Sequence, residues 1–271
     1  MIIVADNLRI TLPAIGRAVD QLDPGPIRQL VDACRDAGAQ AIDINSGPLS
    51  RRPEEKMNFL VHTVQESADL PIVLDTANPR AMAAGLAACT QKSMINGVSL
   101  EPEKLKRILP LARQHDCDVI GYLLRPDGQV PVDASGRMEA AVALFNEMQT
   151  AGISPGKIII DPVVAPLAWQ DGNRQNMAVL EVIRTLPDLL GFPVRTIAGL
   201  SNLTTGAPDP DTRRRYQLAF LPMLAAAGAS MILLNVMDME IMREVESCRN
   251  IIDGGIFTWE PPYSPLHATG R

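Results

Sequence analysis

The stretch Lys157-Ile158-Ile159-Ile160-Asp161-Pro162 is an apolar run that stops on a carboxylate and then on a proline. A short apolar run closed by a turn signal reads as a buried strand, and proline cannot extend its hydrogen-bond ladder. Such a strand delivers Asp161 to a rim. The same grammar recurs in Pro71-Ile72-Val73-Leu74-Asp75, in Met94-Ile95-Asn96-Gly97 and in Thr196-Ile197-Ala198-Gly199-Leu200-Ser201-Asn202. Several strands thus point acids and amides at one common mouth.

Helical patterns separate these runs. Asp23 can cap a helix opened by Pro24, with Ile27, Leu30, Val31 and Cys34 at helical spacing. Pro53 opens a second with Met57, Leu60, Val61 and Val64 on one face, and Asn78-Pro79 starts a third that runs to Cys89. Leu105, Ile108, Leu109 and Ala112 make 101–113 helical, with a bend expected at Pro110. Further helices are expected in a stretch that contains Met138, Val142, Leu144 and Phe145 and runs on to Gly152, around 177–186, from Thr212, and over 238–252. The remaining strands are expected at 2–5, 41–45, 117–124 and 230–235, with a long connection after Ala5 and a Pro-rich tail from Pro261 packed outside.

Apolar strands alternating with amphipathic helices, without a hairpin signal, predict an α/β protein with a parallel sheet covered by helices. Eight such units make a (β/α)8 TIM barrel, expected to occupy 1–271 as one domain. An open doubly wound sheet gives no reason for a polar residue at nearly every strand end, whereas barrels carry their functional groups at the C-terminal mouth.

Composition narrows the function. A net charge of −6 and a pI near 5.2 argue against nucleic acid or an anionic membrane as the partner, since both need a positive field. Cys34, Cys89, Cys117 and Cys248 lie far apart with no Cys-x-x-Cys spacing, which suggests reduced thiols rather than a disulfide framework or zinc knuckle. The opening Met1-Ile2-Ile3-Val4-Ala5 is too short for a signal peptide, and no apolar run reaches the ~20 residues of a membrane span. A soluble, cytoplasmic protein is expected.

The strand ends gather Asp43, Asn45, Asp75, Asn96, Asp161, Asn202 and Asn235, a set of acceptors and amides with scarcely a base or nucleophile. Any one alone also reads as an Asx turn capping the next helix. Together they read as a recognition set. A carboxylate pairs best with a planar group offering two parallel N–H donors, and without a protein arginine in the pocket that fork comes from the ligand. The 2-amino-4-oxo-pyrimidine edge of a pterin is such a fork, and amides such as Asn96 and Asn202 can serve the remaining ring atoms. His62 falls on an outer helix, His115 at a helix end and His267 in the tail, so no histidine metal site or triad is expected. Arg213-Arg214-Arg215 at a helix start reads as an anion site or as a solvated face.

At this point the chain resembles the pterin-binding methyltransferases that move a methyl group from methyltetrahydrofolate to the cobalt of a corrinoid protein. The resemblance spans nearly the whole chain. It rests on Asp43-Ile44-Asn45-Ser46-Gly47-Pro48, Leu74-Asp75-Thr76, Met94-Ile95-Asn96, Ile160-Asp161-Pro162 and Gly199-Leu200-Ser201-Asn202, in family order. It implies that Asp75, Asn96 and Asp161 hold the pyrimidine edge, with Asp161 on the paired N–H donors. By the same resemblance Asn202 faces the nitrogen that carries the methyl group and is the catalytic residue. Asp43 and Asn45 look like supporting residues, Gly199 and Ser201 belong to the same substrate-binding set, and Arg213 steadies the folate tail or the corrinoid partner. Methyltetrahydrofolate would be the substrate, a separate protein would carry the corrinoid (cobalamin), no intrinsic metal would be needed, and a homodimer is implied, with Leu218, Phe220, Leu221 and Met223 as an apolar surplus.

The chain departs from that family after the first strand. A Gly-Glu-Arg-x-Asn stretch is replaced by Ala5-Asp6-Asn7-Leu8-Arg9, which shortens the acid and puts a cation where an amide stood. A dihydropteroate synthase-like enzyme shares the Asp-Pro after strand six, but it must bind a pyrophosphate, and no lysine follows strands seven or eight here. A non-catalytic subunit that binds a pterin or a corrinoid protein is the alternative outside enzymes. Methyl transfer in either direction fits the residues equally.

Overall fold

The computed structural model describes residues 1–254. Strands β1 (Ile2–Arg9), β2 (Ala41–Asn45), β3 (Ile72–Asp75), β4 (Ser93–Val98), β5 (Asp118–Tyr122), β6 (Ile158–Asp161), β7 (Arg195–Gly199) and β8 (Met231–Leu234) close into a barrel in chain order. Every neighbouring pair is parallel, and β1 completes the circle against β8. Around it run α1 (Pro13–Gln21), α2 (Pro24–Asp36), α3 (Pro53–Ser67), α4 (Pro79–Ala88), α5 (Pro102–Gln114), α6 (Ala134–Thr150), α7 (Gly172–Leu190), α8 (Pro210–Ala227) and α9 (Met239–Ile252). The protein is a TIM barrel.

Because side chains alternate along a strand, each strand gives one set of residues to the barrel interior and the other to the helices. Val4, Ala41, Val73, Met94, Ile120, Ile159, Ile197 and Met231 form a separate apolar cluster, the plug of the interior. The intervening residues, such as Ile42, Ile44, Leu74, Ile95, Val119 and Ile160, join the larger core beneath the helices. At the opposite end from the mouth, buried Asp118 is held by Lys92 at 3.0 Å and Arg195 at 2.9 Å, so this acid fastens the barrel floor.

The first strand corrects the sequence reading. β1 continues through Asp6 and Asn7 to Arg9, and the expected long connection contains α1, whose Ile15, Ala18 and Val19 are buried at helical spacing. Asp6 and Asn7 break the apolar run while the strand continues through a register shift between Ala5 and Leu8. Ala5 and Leu8 both face the outer core, so the extra residue re-aims the strand. β7 and β8 end before the polar residues expected to close them: Asn202 lies in a 3-10 turn (Leu200–Thr204) beyond β7, and Asn235 lies just beyond β8. α5 runs on through Pro110, and α7 is longer at both ends than expected.

The surplus assigned to a dimer surface is also corrected. Phe220 and Leu221 are core residues and Leu218 packs against them, leaving Met223 exposed. The thiols of Cys34, Cys89, Cys117 and Cys248 are free. No described helix is long and apolar enough to cross a membrane. His267 and the expected tail from Pro261 lie outside the described residues.

Candidate functional site

Two residues beyond each interior apolar residue, the strand reaches the barrel's C-terminal end with its side chain again turned inward. That step leads from Val4 to Asp6, from Ala41 to Asp43, from Val73 to Asp75, from Met94 to Asn96, from Ile120 to Tyr122, from Ile159 to Asp161 and from Ile197 to Gly199. A polar layer therefore sits directly on the apolar plug. The helix caps are supplied by other residues, Asp23, Asn78, Asp133, Asp209 and Asp238, so the layer is not spent on capping.

Within the layer the amides orient the acids. Asn45 Nδ2 donates to Asp75 Oδ2 at 2.6 Å, and Tyr122 Oη donates to Asn96 Oδ1 at 2.5 Å. Val163 N donates to Asp161 Oδ1 at 2.7 Å. Among the described residues, nothing is hydrogen-bonded to Asp75 Oδ1 or Asp161 Oδ2. Both carboxylates are half-buried and keep one oxygen for the mouth. Asp43 is 2% exposed and Asp6 5%, and each has a buried Oδ1 with no partner.

Crowding acids in a poorly solvated layer favours their neutral forms. Burial pushes Asp161 up to about 7, opposed by the Val163 N–H and the Arg137 charge. Burial likewise lifts Asp75 to about 6. Asp43 is raised well above the usual carboxylate range by burial first, then by the charges of Asp75 and Asp6, with Asn96 and Arg9 opposing. Burial and the facing carboxylates also raise the Tyr122 hydroxyl.

Arg137 explains how Asp161 is held. Its fully buried guanidinium donates to Pro131 O at 2.9 Å, to Val163 O at 2.9 Å, to Gln175 Oε1 at 3.3 Å and to Pro162 O. It thus clamps the corner after β6, where Val163 takes a left-handed φ of 66° that β-branched residues avoid. Its donors are occupied by carbonyls and an amide, so it lends Asp161 charge without competing for a ligand fork. Beyond β7, the Asn202 side chain folds over Gly199, where a Cβ would stand 2.9 Å from Asn202 Nδ2 and would push the amide aside. Asn202 is exposed and makes no side-chain hydrogen bond among the described residues. Ser201 Oγ donates to Asp6 Oδ2 at 2.6 Å, linking the turn beyond β7 to β1.

Of the residues expected at the mouth, Asp43, Asn45, Asp75, Asn96 and Asp161 are brought together on the inner wall, with Gly199, Ser201 and Asn202 at its edge. A cavity of about 210 Å³ lies beside Asp75, Asn96 and Tyr122. Arg213 lies apart from that pocket, in a second cavity of about 460 Å³ shared with Asp6, Arg9 and Ser201. Asn235 is used by the backbone and β1: its Oδ1 accepts from Met237 N at 3.0 Å and Asn7 Nδ2 at 2.5 Å. A concavity of about 1050 Å³ lies outside the barrel between α5 and α6 and contains none of these side chains. Among the described residues no three His, Cys, Asp or Glu side chains are grouped to hold a metal ion.

Asp6, Tyr122 and Arg137 are not among the expected site residues. The two-residue step from an interior apolar position would have found the first two. An arginine on the core-facing stripe of α6, with Ala140, Ala141, Leu144 and Met148, would have flagged the third.

This layer of acids and amides lies at the C-terminal mouth of a closed barrel. The chain belongs to the pterin-binding enzymes, whose family model matches residues 19–235. It is 27% identical to a methylcorrinoid:tetrahydrofolate methyltransferase from Eubacterium limosum over 77% of this chain and 76% of that protein. A methionine synthase from Mycobacterium tuberculosis is 27% identical over 81% of this chain, which spans 19% of that longer protein. Among solved structures, a dihydropteroate synthase from Xanthomonas albilineans in complex with 7,8-dihydropteroate shares the fold, with a TM-score of 0.63, 19% identity and 94% of each chain covered. The dihydropteroate synthase of Thermus thermophilus gives a TM-score of 0.59 at 18% identity, over 83% of this chain and 89% of that one.

Proposed function

We propose that the protein is a methyltransferase that moves a methyl group between methyltetrahydrofolate and the cobalt of a corrinoid carried by a separate protein. The observation that carries this reading is the pair of half-buried carboxylates, Asp75 and Asp161, each tied by one oxygen and open at the other. A pterin edge offers the N–H donors such acceptors need, and Asn96 supplies an amide that both donates and accepts. The relative from Eubacterium limosum, similar over most of both chains, supports the same chemistry.

A tertiary amine is a poor leaving group, so the methyl-bearing nitrogen must gain positive character before cobalt(I) displaces it. In the forward direction the carbon–nitrogen bond breaks, a carbon–cobalt bond forms, cobalt is oxidised by two electrons, and the nitrogen keeps its bonding pair and a proton. Asn202 is too weak an acid to supply that proton. With the proton taken from solvent, the Asn202 carbonyl oxygen can instead accept a hydrogen bond from the protonated nitrogen and so stabilise the cationic form that the displacement requires. With cobalt as nucleophile the chain needs none of its own, which accounts for a mouth of acceptors and amides. The corrinoid protein, a homodimeric state and a cytoplasmic location are part of the proposal.

The test is to mix the purified protein with methyltetrahydrofolate and cob(I)alamin and follow the loss of cobalt(I) absorbance. Catalysed formation of methylcobalamin is expected. No turnover with either free cobalamin or a purified corrinoid protein, alongside tight pterin binding, would favour a non-catalytic binding subunit. Condensation of a pterin pyrophosphate with p-aminobenzoate would favour the dihydropteroate synthase reaction.

A further inference from the structure

An asparagine amide can turn either its carbonyl or its NH2 group to a ligand, and in the polar layer Tyr122 makes that choice for Asn96. Tyr122 ends β5 two residues beyond Ile120 of the apolar plug, so its side chain enters the mouth beside Asn96. Its Oη donates to Asn96 Oδ1 at 2.5 Å. Burial first, and then the charges of Asp75, Asp161 and Asp43, hold this hydroxyl well above its ordinary range, which keeps it protonated and a donor. The carbonyl end of Asn96 is thereby engaged. Its NH2 end faces Asp43, whose charged form it favours, and with two N–H groups it keeps one for the cavity of about 210 Å³ that both side chains line.

The backbone is shaped for this contact. Asn96 pairs with Ile120 and Val98 with Gly121, which leaves Gly97 as an extra residue in β4. The Tyr122 ring lies against that bulge: a Cβ on Gly97 would stand 3.1 Å from Tyr122 Cε2 and 2.6 Å from the Ile120 carbonyl oxygen. A side chain there would displace the ring or move β5. The hydroxyl thus reaches Asn96 from a ring seated on backbone.

The NH2 end is the one a pterin edge needs. Asp75 and Asp161 each keep an open acceptor oxygen, so the N–H groups of such a ligand are already provided for. The atoms that flank the paired N–H donors of a 2-amino-4-oxo-pyrimidine, a carbonyl oxygen on one side and a bare ring nitrogen on the other, are both acceptors. An Asn96 carbonyl turned to either would repel it, whereas an Asn96 N–H binds it. Resting on the reading of the mouth as a pterin site, we propose that Tyr122 is a positioning residue that acts through Asn96. It fixes the amide with an N–H toward the ring and so completes an acceptor–donor–acceptor frame of Asp75, Asn96 and Asp161.

The experiment is a double-mutant cycle on tetrahydrofolate binding with the full chain, Tyr122→Phe, Asn96→Ala and the double variant, read by calorimetry and, where binding is weak, by kcat/KM for methyl transfer. Phenylalanine keeps the ring on Gly97 and removes the hydroxyl alone. Tyr122→Phe should weaken binding about three- to tenfold, the worth of one oriented hydrogen bond, with a smaller change in kcat at saturation. In the Asn96→Ala background the same substitution should change affinity less than about twofold. An equal loss in both backgrounds would overturn the assignment and show Tyr122 acting directly on the ligand or on the acids. Parent-like affinity in Tyr122→Phe would overturn it as well. Failure of the parent to bind tetrahydrofolate would overturn the pterin reading and this assignment with it.

Discussion

Replacing Asp161 by asparagine keeps the shape of the side chain and an oxygen to accept from Val163 N–H, while removing the charge. In the free protein that charge is unfavourable, since burial raises the carboxyl to about 7 despite Val163 and Arg137. A folded-state value above the ordinary ~3.9 means that the native state holds the proton more tightly than the unfolded chain. This contribution to stability is full at low pH and is lost as pH rises through about 7. The Asp161→Asn variant should thus match the parent below about pH 4 and melt at a higher temperature at pH 8, with the gap opening across the range between and levelling above about 7. Binding should move the opposite way. The oxygen left open to the mouth becomes an NH2 group, so one charge-assisted hydrogen bond, worth about 1.5–3 kcal/mol, is lost and a donor faces a donor. A total of roughly 3 kcal/mol corresponds to about a hundredfold weaker tetrahydrofolate binding. Titration calorimetry at pH 7.5 beside thermal denaturation across pH separates the two effects. Affinity within threefold of the parent, or a variant uniformly less stable, would refute the role given to this carboxylate.

Other consequences are open to test. Tetrahydrofolate affinity measured by calorimetry should fall as pH drops below about 7, approaching tenfold per unit, because Asp161, at about 7, must lose its proton to accept the ligand's donors; in Asp161→Asn the fall should begin lower, near the value of about 6 for Asp75. Asn202→Ala should slow methyl transfer far more than it weakens pterin binding, read as kcat against Kd, whereas Asp161→Ala should lose binding first. Arg137→Met should strand the buried carbonyls of Pro131, Pro162 and Val163, costing about 3 kcal/mol of stability in chemical denaturation. Lysine at that position should not restore it, because it lacks the planar fork.

The barrel was legible because its apolar runs end on polar residues at regular intervals, a pattern that follows from interior packing and from an open C-terminal mouth. Asp75, Asn96 and Asp161 could be picked out for the same reason. β1 was legible only in part: Asp6 and Asn7 look like the end of a strand by composition, and the register shift that lets them continue depends on β2 and β8. Arg137 was hidden because its partners are backbone carbonyls, which no side-chain pattern reveals. Asn235 matched the grammar of the mouth but is taken up by neighbours 228 residues away in the chain and two residues on, a choice that only tertiary contact makes. Phe220 and Leu221 looked like surplus because the face of α8 that they occupy is defined by the barrel it covers.

The most direct test of the polar layer as a pterin site is a crystal structure of the protein with methyltetrahydrofolate bound. The ring N–H and the neighbouring amino group should lie within hydrogen-bonding distance of the Asp161 carboxylate, with Asp75 and Asn96 on the remaining ring atoms and the methyl-bearing nitrogen facing Asn202. A pterin ring seated outside the barrel mouth, or turned with its pyrimidine edge away from Asp161, would contradict the account.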